Sequence, residues 1–338
     1  PVIAHADALA ERPPALRQPV LTLAELGFEP TNLSTLEIEP GSSGGQRAWQ
    51  AFAARLDDYA RLRDFPALRG PSYLGVHLRH GTLSVRAVAG AALARASEPR
   101  APDGGAGARA WLRALALREF FAQLLAHHPR LAEQPFRPAF ARIRWRYGQA
   151  ANTRFHAWAE GRTGYPLVDA AMAQLNRTGY MHHRLRLVAA SFLVKQLGVQ
   201  WRRGERHFAE RLIDHELASN NGNWQWVAGC GAEAQPWYQI LNPVRQSERV
   251  DAEGRFIRHQ LHSLAGLPAP AIHAPWQAHA IELAAAGLRL GHDYPLPIVA
   301  LDVARAEALA RYAVVDPASG HRRPSAAASD AAAPGPQR

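Results

Sequence analysis

The stretch TGYPLVDAAMAQLNRTGYMHHRLRLVAASFLVKQLG, Thr163 to Gly198, constrains the fold more than any other part of the chain. Leu167, Val168, Ala171, Met172 and Leu175 recur at the three-to-four spacing that gives a helix one apolar face. Pro166 suits a first helical turn, where its missing N–H costs nothing. Gly179 is the residue type that ends a helix in a left-handed turn. A second helix follows and closes at Gly198. Trp49, Phe52, Leu56, Tyr59 and Leu62 predict a further amphipathic helix within QRAWQAFAARLDDYARLRDF. Trp111 to His128, rich in Ala and Leu, predicts another. No segment shows clear strand alternation, and strand–helix–strand punctuation is absent. The expected fold class is all-α, a multi-helix domain.

Boundaries follow from composition. Residues 1–40 are Pro-rich and read as a linker or remnant preceding the helical domain. PGSSGG, Pro40 to Gly45, reads as a flexible break. The helical domain is expected over 41–315, with a loop from Ala96 to Ala108. The tail 316–338, low in large apolar residues, is expected to be disordered. With 47% hydrophobic residues the chain can build a sizeable core. No run reaches the roughly 18 apolar residues of a membrane span. The sequence begins at Pro1 with no signal-peptide pattern. Cys230 is the only cysteine, so no intrachain disulfide can form, which fits a reducing compartment. The expected location is the cytoplasm, away from membranes, and the expected state a monomer. No Cys/His set has zinc spacing. His127-His128 and His182-His183 are adjacent pairs, whose rings diverge if both lie on a helix. No metal site is expected.

The net charge is +10, and Lys195 is the only lysine among 39 basic residues. Arginine grips phosphate with a planar fork, so this balance favours a polyanion partner, nucleic acid foremost. A GC-rich genome would produce the same bias. The dinucleotide-binding, P-loop, nucleophile-elbow and HExxH signatures are all missing.

HELASNNGNWQWVAGCG, His215 to Gly231, mixes tryptophan with adjacent asparagines and glycines. Asn and Gly favour turns, and the stretch suits neither a long helix nor a strand. A flat, polar ligand with its own aromatic face could sit there. Asp214 and Glu216 are two apart and cannot share a helix face, but in a turn they can surround such a ligand. Arg184 and Arg186 come from the preceding helix. An Arg186–Asp214 pair could lie beside the ligand or be an ordinary salt bridge between helices. Trp224 and Trp226 share a face if the segment is extended. Trp145, Trp201, Trp224 and Trp226 are either core residues or an indole relay for electrons; spacing leaves both open.

The blocks RTGYPLVDAAMAQLNRTGYMHHRLRLVAASFLVKQLGVQWRRGERHFAERLID, NNGNWQW, ILNPVRQSERVDAEGRFIR and HAPW resemble the flavin-binding domain of the DNA photolyase/cryptochrome family. Class I photolyases of cyclobutane pyrimidine dimers look nearest. The resemblance covers about Gly41 to Val315. It implies an all-helical domain that holds FAD in a deep cavity. Tyr59 and the loop Pro71, Ser72, Tyr73, Leu74 and Gly75 would hold the diphosphate and ribityl chain. Arg186 and Asp214 would sit beside the flavin ring, with His215 and Glu216 continuing the contact. Asn220 would face flavin N5. Trp224, Trp201 and Trp145 would relay electrons from the surface.

The implied activity is that of a deoxyribodipyrimidine photo-lyase. Light-excited, reduced flavin donates an electron to a dimer in UV-damaged DNA, flipped out of the duplex. Arg63, Arg184 and Gln246 match positions near DNA or lesion, and Trp226 would wall the flipped bases. In WLRALALREFF, Ala114 stands where the family has a lesion-bonding Glu, Leu117 where it has a Trp, and Arg118 follows. His183 replaces Asn, Leu187 Met, Glu216 Asp and Asn223 Gly. Losing the Glu would cost about 1.5–3 kcal/mol of lesion binding. Losing the indole would cost about 1–3 kcal/mol more. The family's upstream antenna domain is missing from this sequence, so no antenna pigment is expected in this chain. Two alternatives stand beside repair: a cryptochrome-like blue-light photoreceptor, and a flavin-free helical DNA-binding protein.

Overall fold

In a computed structural model, residues 13–14, 21–29, 31–232, 236 and 238–315 are described. The chain divides into two compact units, Pro1–Ile38 and Glu39–Arg338. In the first, a short 3-10 helix spans Asn32–Thr35, capped by the Thr31 side chain. The tail 316–338 lies outside the described residues.

Helices are the main regular structure among the described residues of the second unit. Its first part contains α1 (Gly41–Ala53), α2 (Tyr59–Leu62), α3 (Gly75–Arg79), α4 (Val85–Ala96) and the long α5 (Ala106–His127). Its centre contains α6 (Gly148–Ala159), α7 (Pro166–Thr178), α8 (His183–Ser191), α9 (Trp201–Arg211) and α10 (Leu217–Ala228). The remainder is α11 (Pro243–Val250), α12 (Arg255–Gln260), α13 (Ala269–Ile272), α14 (Ala280–Ala285) and α15 (Leu301–Tyr312). Extended pairing among the described residues is limited to isolated bridges, such as Arg146 to Val199.

α7 matches its sequence pattern. Pro166 opens it, Gly179 closes it at φ 66°, and Leu167, Val168, Ala171, Met172 and Leu175 are all buried. The buried Asp169 ties its start to the loop before it, accepting from Thr163 N and Oγ1, Gly164 N and Tyr294 Oη. α7 packs on α8, α11 and α12 in the larger core. A smaller core gathers Phe52, Leu56, Tyr59, Leu74 and Trp111 where α4 and α2 meet α5.

Several expectations need correction. The glycine-rich start is no flexible break, since α1 begins at Gly41. Gly44 and Gly45 are buried, Gly45 against the Thr82 carbonyl, and packing overrides weak propensity. The helix expected from Gln46 to Phe65 breaks after Ala53 and resumes through a 3-10 turn, Leu56–Asp58. The helix after α7 changes pitch: Phe192–Gln196 forms a π turn before Gly198.

The largest correction is at 217–228, which is an α-helix and not a turn-rich segment. Glu216 caps its start, accepting from Ala218 N and Ser219 N, and Gly229 ends it at φ 83°. Gly222 lets α10 lie against α5: a Cβ there would come within 2.2 Å of the Phe121 ring. Two caps and a close crossing outweigh the poor helix propensity of Asn and Gly.

Candidate functional site

α10 follows directly on the loop that carries Asp214, so the site is built outward from there. Arg186 Nη2 donates to both Asp214 oxygens, at 3.0 and 2.9 Å. The Asp214 carboxylate lies on the backbone of Gly75, where a Cβ would be 2.7 Å from Oδ2. The Pro71–Gly75 loop is thereby brought against the ion pair. Tyr73 takes a left-handed conformation, φ 59°, and its ring meets Tyr180 at 5.5 Å. Arg186 in turn reaches over Tyr180, at 5.9 Å. Burial pushes the Tyr180 hydroxyl well above the usual phenol range. Pro71 and Leu74 are buried, Ser72 is half-buried and Gly75 is exposed at the start of α3.

His215 holds Arg79 through its carbonyl, while its Nε2 is buried with no hydrogen-bond partner. Burial, then the charge of Arg79, lowers its basicity. Glu216 spends its carboxylate on the start of α10, and those hydrogen bonds overcome burial to hold it ionised. Asn220, half-buried, donates from Nδ2 to Glu205 O at 3.0 Å and to Oε1 at 3.1 Å. With the amide nitrogen engaged, Oδ1 is the end of Asn220 left for another group. Glu205 gave no signal in the sequence; its role depends on α9 lying against α10.

Trp224 is four residues from Asn220 on α10, hence on the same face. It is 2% exposed and packs edge-on against Phe208 at 5.1 Å and Trp158 at 6.2 Å. Gly204 on α9 seats it: a Cβ there would come within 2.2 Å of the indole. Trp201, buried at the start of α9, is three residues from Gly204, so it belongs to the same side of that helix. Trp145 is half-buried, edge-on to Tyr312 at 6.0 Å. Its neighbour Arg146 donates to the Gly198 carbonyl, close in sequence to Trp201. Trp158, fully buried and anchored to Ala189 O, joined this aromatic cluster without a sequence signal. Trp226 does not share a face with Trp224: on a helix two residues rotate about 200°. Trp226 is half-buried on another side of α10.

Tyr59 is buried in the smaller core, with Arg63 over its ring at 5.2 Å. Arg184 and His183 both converge on Asp64, at 2.8 and 3.1 Å. Burial alone would raise the Asp64 carboxyl, but the hydrogen bonds from His183 and Arg184 hold it well below the usual range. The His182 and His183 rings do not diverge: they stack at 4.5 Å. His182 is the N-cap of α8, outside the helical turn, so the helical rule does not govern it. Burial, then His183, pushes His182 down to about 3. The His182 Nε2 and Arg184 Nε atoms are buried without partners. Among the described residues no group of His, Cys, Asp and Glu could hold a metal.

Along α5, Ala114 is half-buried, Leu117 is exposed and Arg118 is half-buried, its charge favouring ionised Glu216. Gln246 is half-buried on α11. The arrangement joins a charge-paired loop, an oriented amide and a buried aromatic cluster. The unpartnered nitrogens of His215, His182 and Arg184 are what a polar ligand would complete. The positive charge of Arg186 and the unpartnered Nε2 of His215 suit a polar group that carries negative charge. No described helix is long and apolar enough to cross a membrane.

Residues 111–314 match the family model described as the FAD binding domain of DNA photolyase. The chain is 47% identical over 256 residues to a deoxyribodipyrimidine photo-lyase of Escherichia coli, covering 75% of this chain and 52% of that protein. The crystal structure of a bacterial class III photolyase from Agrobacterium tumefaciens superposes with TM-score 0.82 at 38% identity, covering 89% of this chain and 62% of that one. A Synechocystis cryptochrome structure superposes with TM-score 0.75 at 32% identity, covering 84% and 58%. The chain thus spans about half the length of the curated relatives it matches.

Proposed function

The chain belongs to the DNA photolyase/cryptochrome family, through the FAD-binding domain of that family, and on that premise we propose that it repairs cyclobutane pyrimidine dimers in DNA by light-driven electron transfer from bound, reduced FAD. The observation that supports this reading most is the Arg186–Asp214 ion pair against the Gly75 backbone, together with Asn220, oriented by Glu205, on the face of α10 that carries Trp224.

Bound there, FAD would supply light-driven one-electron chemistry. The residues of the chain do the rest. Arg186 offers positive charge beside the flavin ring, and Asp214 fixes its direction through two hydrogen bonds. The loop Pro71–Gly75, with Tyr59 behind it, would hold the diphosphate and ribityl chain. His215 Nε2 is a polar group awaiting a partner. Asn220 Oδ1, fixed by the grip of Glu205 on Nδ2, would accept a hydrogen bond from a ring N–H. Trp224 is excluded from water, which suits an indole that passes an electron and not a proton. Trp201 and Trp145 would extend the route toward the surface.

For DNA, Arg63, Arg184, Arg118 and Gln246 supply phosphate or base contacts, and the phosphate contacts make affinity fall with salt. Asp64 holds Arg184 and His183 in place. Trp226 would wall the flipped bases, alongside His183. At Ala114 and Leu117 the chain presents a methyl group and an exposed aliphatic side chain. That observation favours a second reading, a cryptochrome-like photoreceptor, in which flavin photoreduction survives and lesion binding is weak.

One assay separates the readings. Chemically reduced protein is illuminated with a thymine-dimer oligonucleotide, and the loss of dimer is measured. Light-dependent loss supports repair. Flavin photoreduction without dimer loss selects the photoreceptor. A colourless protein that takes up no added FAD would overturn both.

A further inference from the structure

Trp145 is flanked in sequence by Arg144 and Arg146. These two, with Arg142 and Arg311, line a surface cleft of about 690 Å³. Glu307 is the one acidic group in its lining, with Ala310 and Val314 completing the wall. Four guanidiniums therefore face one carboxylate. Glu307 is already taken by Arg146 Nη2. Arg146 Nε and Arg311 Nη1 are buried without a hydrogen-bond partner. Arg311 cannot retreat inward, since its guanidinium lies on the backbone of Gly198, where a Cβ would be 2.4 Å from Nη2. Arg154 stands behind, donating to Leu197 O. Burial first, then the charge of Arg146, lowers the affinity of Arg311 for its proton, and burial and Arg146 do the same to Arg154.

Like charges crowded beside unpartnered buried N–H groups are unfavourable unless an anion completes them. The cleft volume suits a small organic molecule. Phosphate-bearing DNA is a poorer match, because the lining includes none of Arg63, Arg184 or Gln246. What distinguishes this cleft from any basic patch is its neighbour. Trp145 is the half-buried end of the aromatic route, held between two of the cleft arginines in sequence and edge-on to Tyr312, the residue after Arg311.

We propose that this cleft binds a small anionic enediol reductant, of the ascorbate class, which returns an electron to Trp145 after the relay has fired. The binding half stands alone; the donor half rests on the relay reading of Trp145. In the step, the monoanion loses one electron to the oxidised indole and its remaining enol proton to water. Trp145 is restored, and the donor leaves as its radical anion. Positive charge at the cleft both raises the local donor concentration and speeds encounter.

The test uses the full chain and ascorbate itself. In the dark, calorimetric titration should show saturable binding that weakens at least about tenfold in the double variant Arg142→Gln/Arg144→Gln. Both positions are exposed, and the exposed pair Arg86→Gln/Arg113→Gln serves as a charge-matched control that should bind as the parent does. After a light flash, ascorbate should quench oxidised Trp145 at least about fivefold more slowly in the cleft variant, while uncharged hydroquinone quenches both proteins equally. Equal ascorbate rates, equal slowing of hydroquinone, or displacement of ascorbate by duplex DNA would overturn the proposal. Dark binding intact, with no oxidised Trp145 formed in the parent, would sink the relay reading and the donor role but leave the anion site standing.

Discussion

Asn220 is held at one end by Glu205, its Nδ2 shared between the Glu205 carbonyl at 3.0 Å and the carboxyl Oε1 at 3.1 Å. The pair crosses from α10 to α9, and on the proposed reading it turns Oδ1 of the amide toward the flavin. Glu205→Leu removes the side-chain half of that grip. The variant should still bind FAD, but its flavin photoreduction yield should fall several-fold, since a net hydrogen bond contributes about 0.5–1.5 kcal/mol. Glu205→Gln should restore most of the loss. Absorbance under steady illumination, with the flavin reduction potential as a second readout, checks this. An unchanged potential in Glu205→Leu would show that Glu205 does not position Asn220.

Trp224→Phe should block photoreduction while leaving intact the repair carried out by chemically reduced protein. Phe fills much of the space against Phe208, Trp158 and Gly204, so the fold should persist. Photoreduction should drop at least about tenfold, measured as bleaching of the flavin band. Loss of both activities would contradict a relay role. Trp158→Phe is the companion variant: Trp158 touches Trp224, and retained photoreduction there would assign the route to Trp201 and Trp145.

The helical class, and α7 in particular, could be read from the sequence because their signals are local. A proline start, a glycine stop and an apolar stripe lie within α7 itself. α10 could not be read that way. Its composition favours turns, and the forces that make it a helix come from elsewhere: Glu216 at its start, Phe121 of α5 against Gly222, and Trp224 against Gly204. The π turn at Phe192–Gln196 was equally hidden, because all five residues are buried and show no face. The Arg186–Asp214 ion pair was legible in the sequence. Glu205 and Asp64 were not, since each acts through a contact made only when distant helices pack.

Ala114 and Leu117 set a prediction about affinity. Both lie on α5, the first half-buried and the second exposed, so larger side chains have room toward solvent. Ala114→Glu/Leu117→Trp should tighten binding to dimer-containing DNA by about 100-fold or more, on a hydrogen-bond contribution of about 1.5–3 kcal/mol and a stacking contribution of about 1–3 kcal/mol. Binding to undamaged DNA should change little. Fluorescence anisotropy at one fixed salt concentration measures both. Equal tightening on damaged and undamaged duplex would place α5 outside the lesion pocket.

Lys195 gives a prediction about pH and stability that needs no flavin. It is 1% exposed within the π turn, with Nζ 3.8 Å from the centre of the Tyr312 ring. Burial pulls its pKa down from 10.5 to about 7; Cys230 opposes the shift and Arg311 adds to it. Between those values the unfolded chain carries a proton that the folded chain does not. Stability therefore rises with pH across that window, by about 1.4 kcal/mol per pH unit from this group. Below about pH 7 both states are protonated, and the cost of burying the ammonium no longer changes with pH. Lys195→Met removes the titrating group and keeps an unbranched apolar stem. The variant should gain on the parent most at pH 6, and the gap should narrow steadily toward pH 9, as read from urea unfolding midpoints. Parallel pH curves for the two proteins would mean that Lys195 keeps its charge in the folded core.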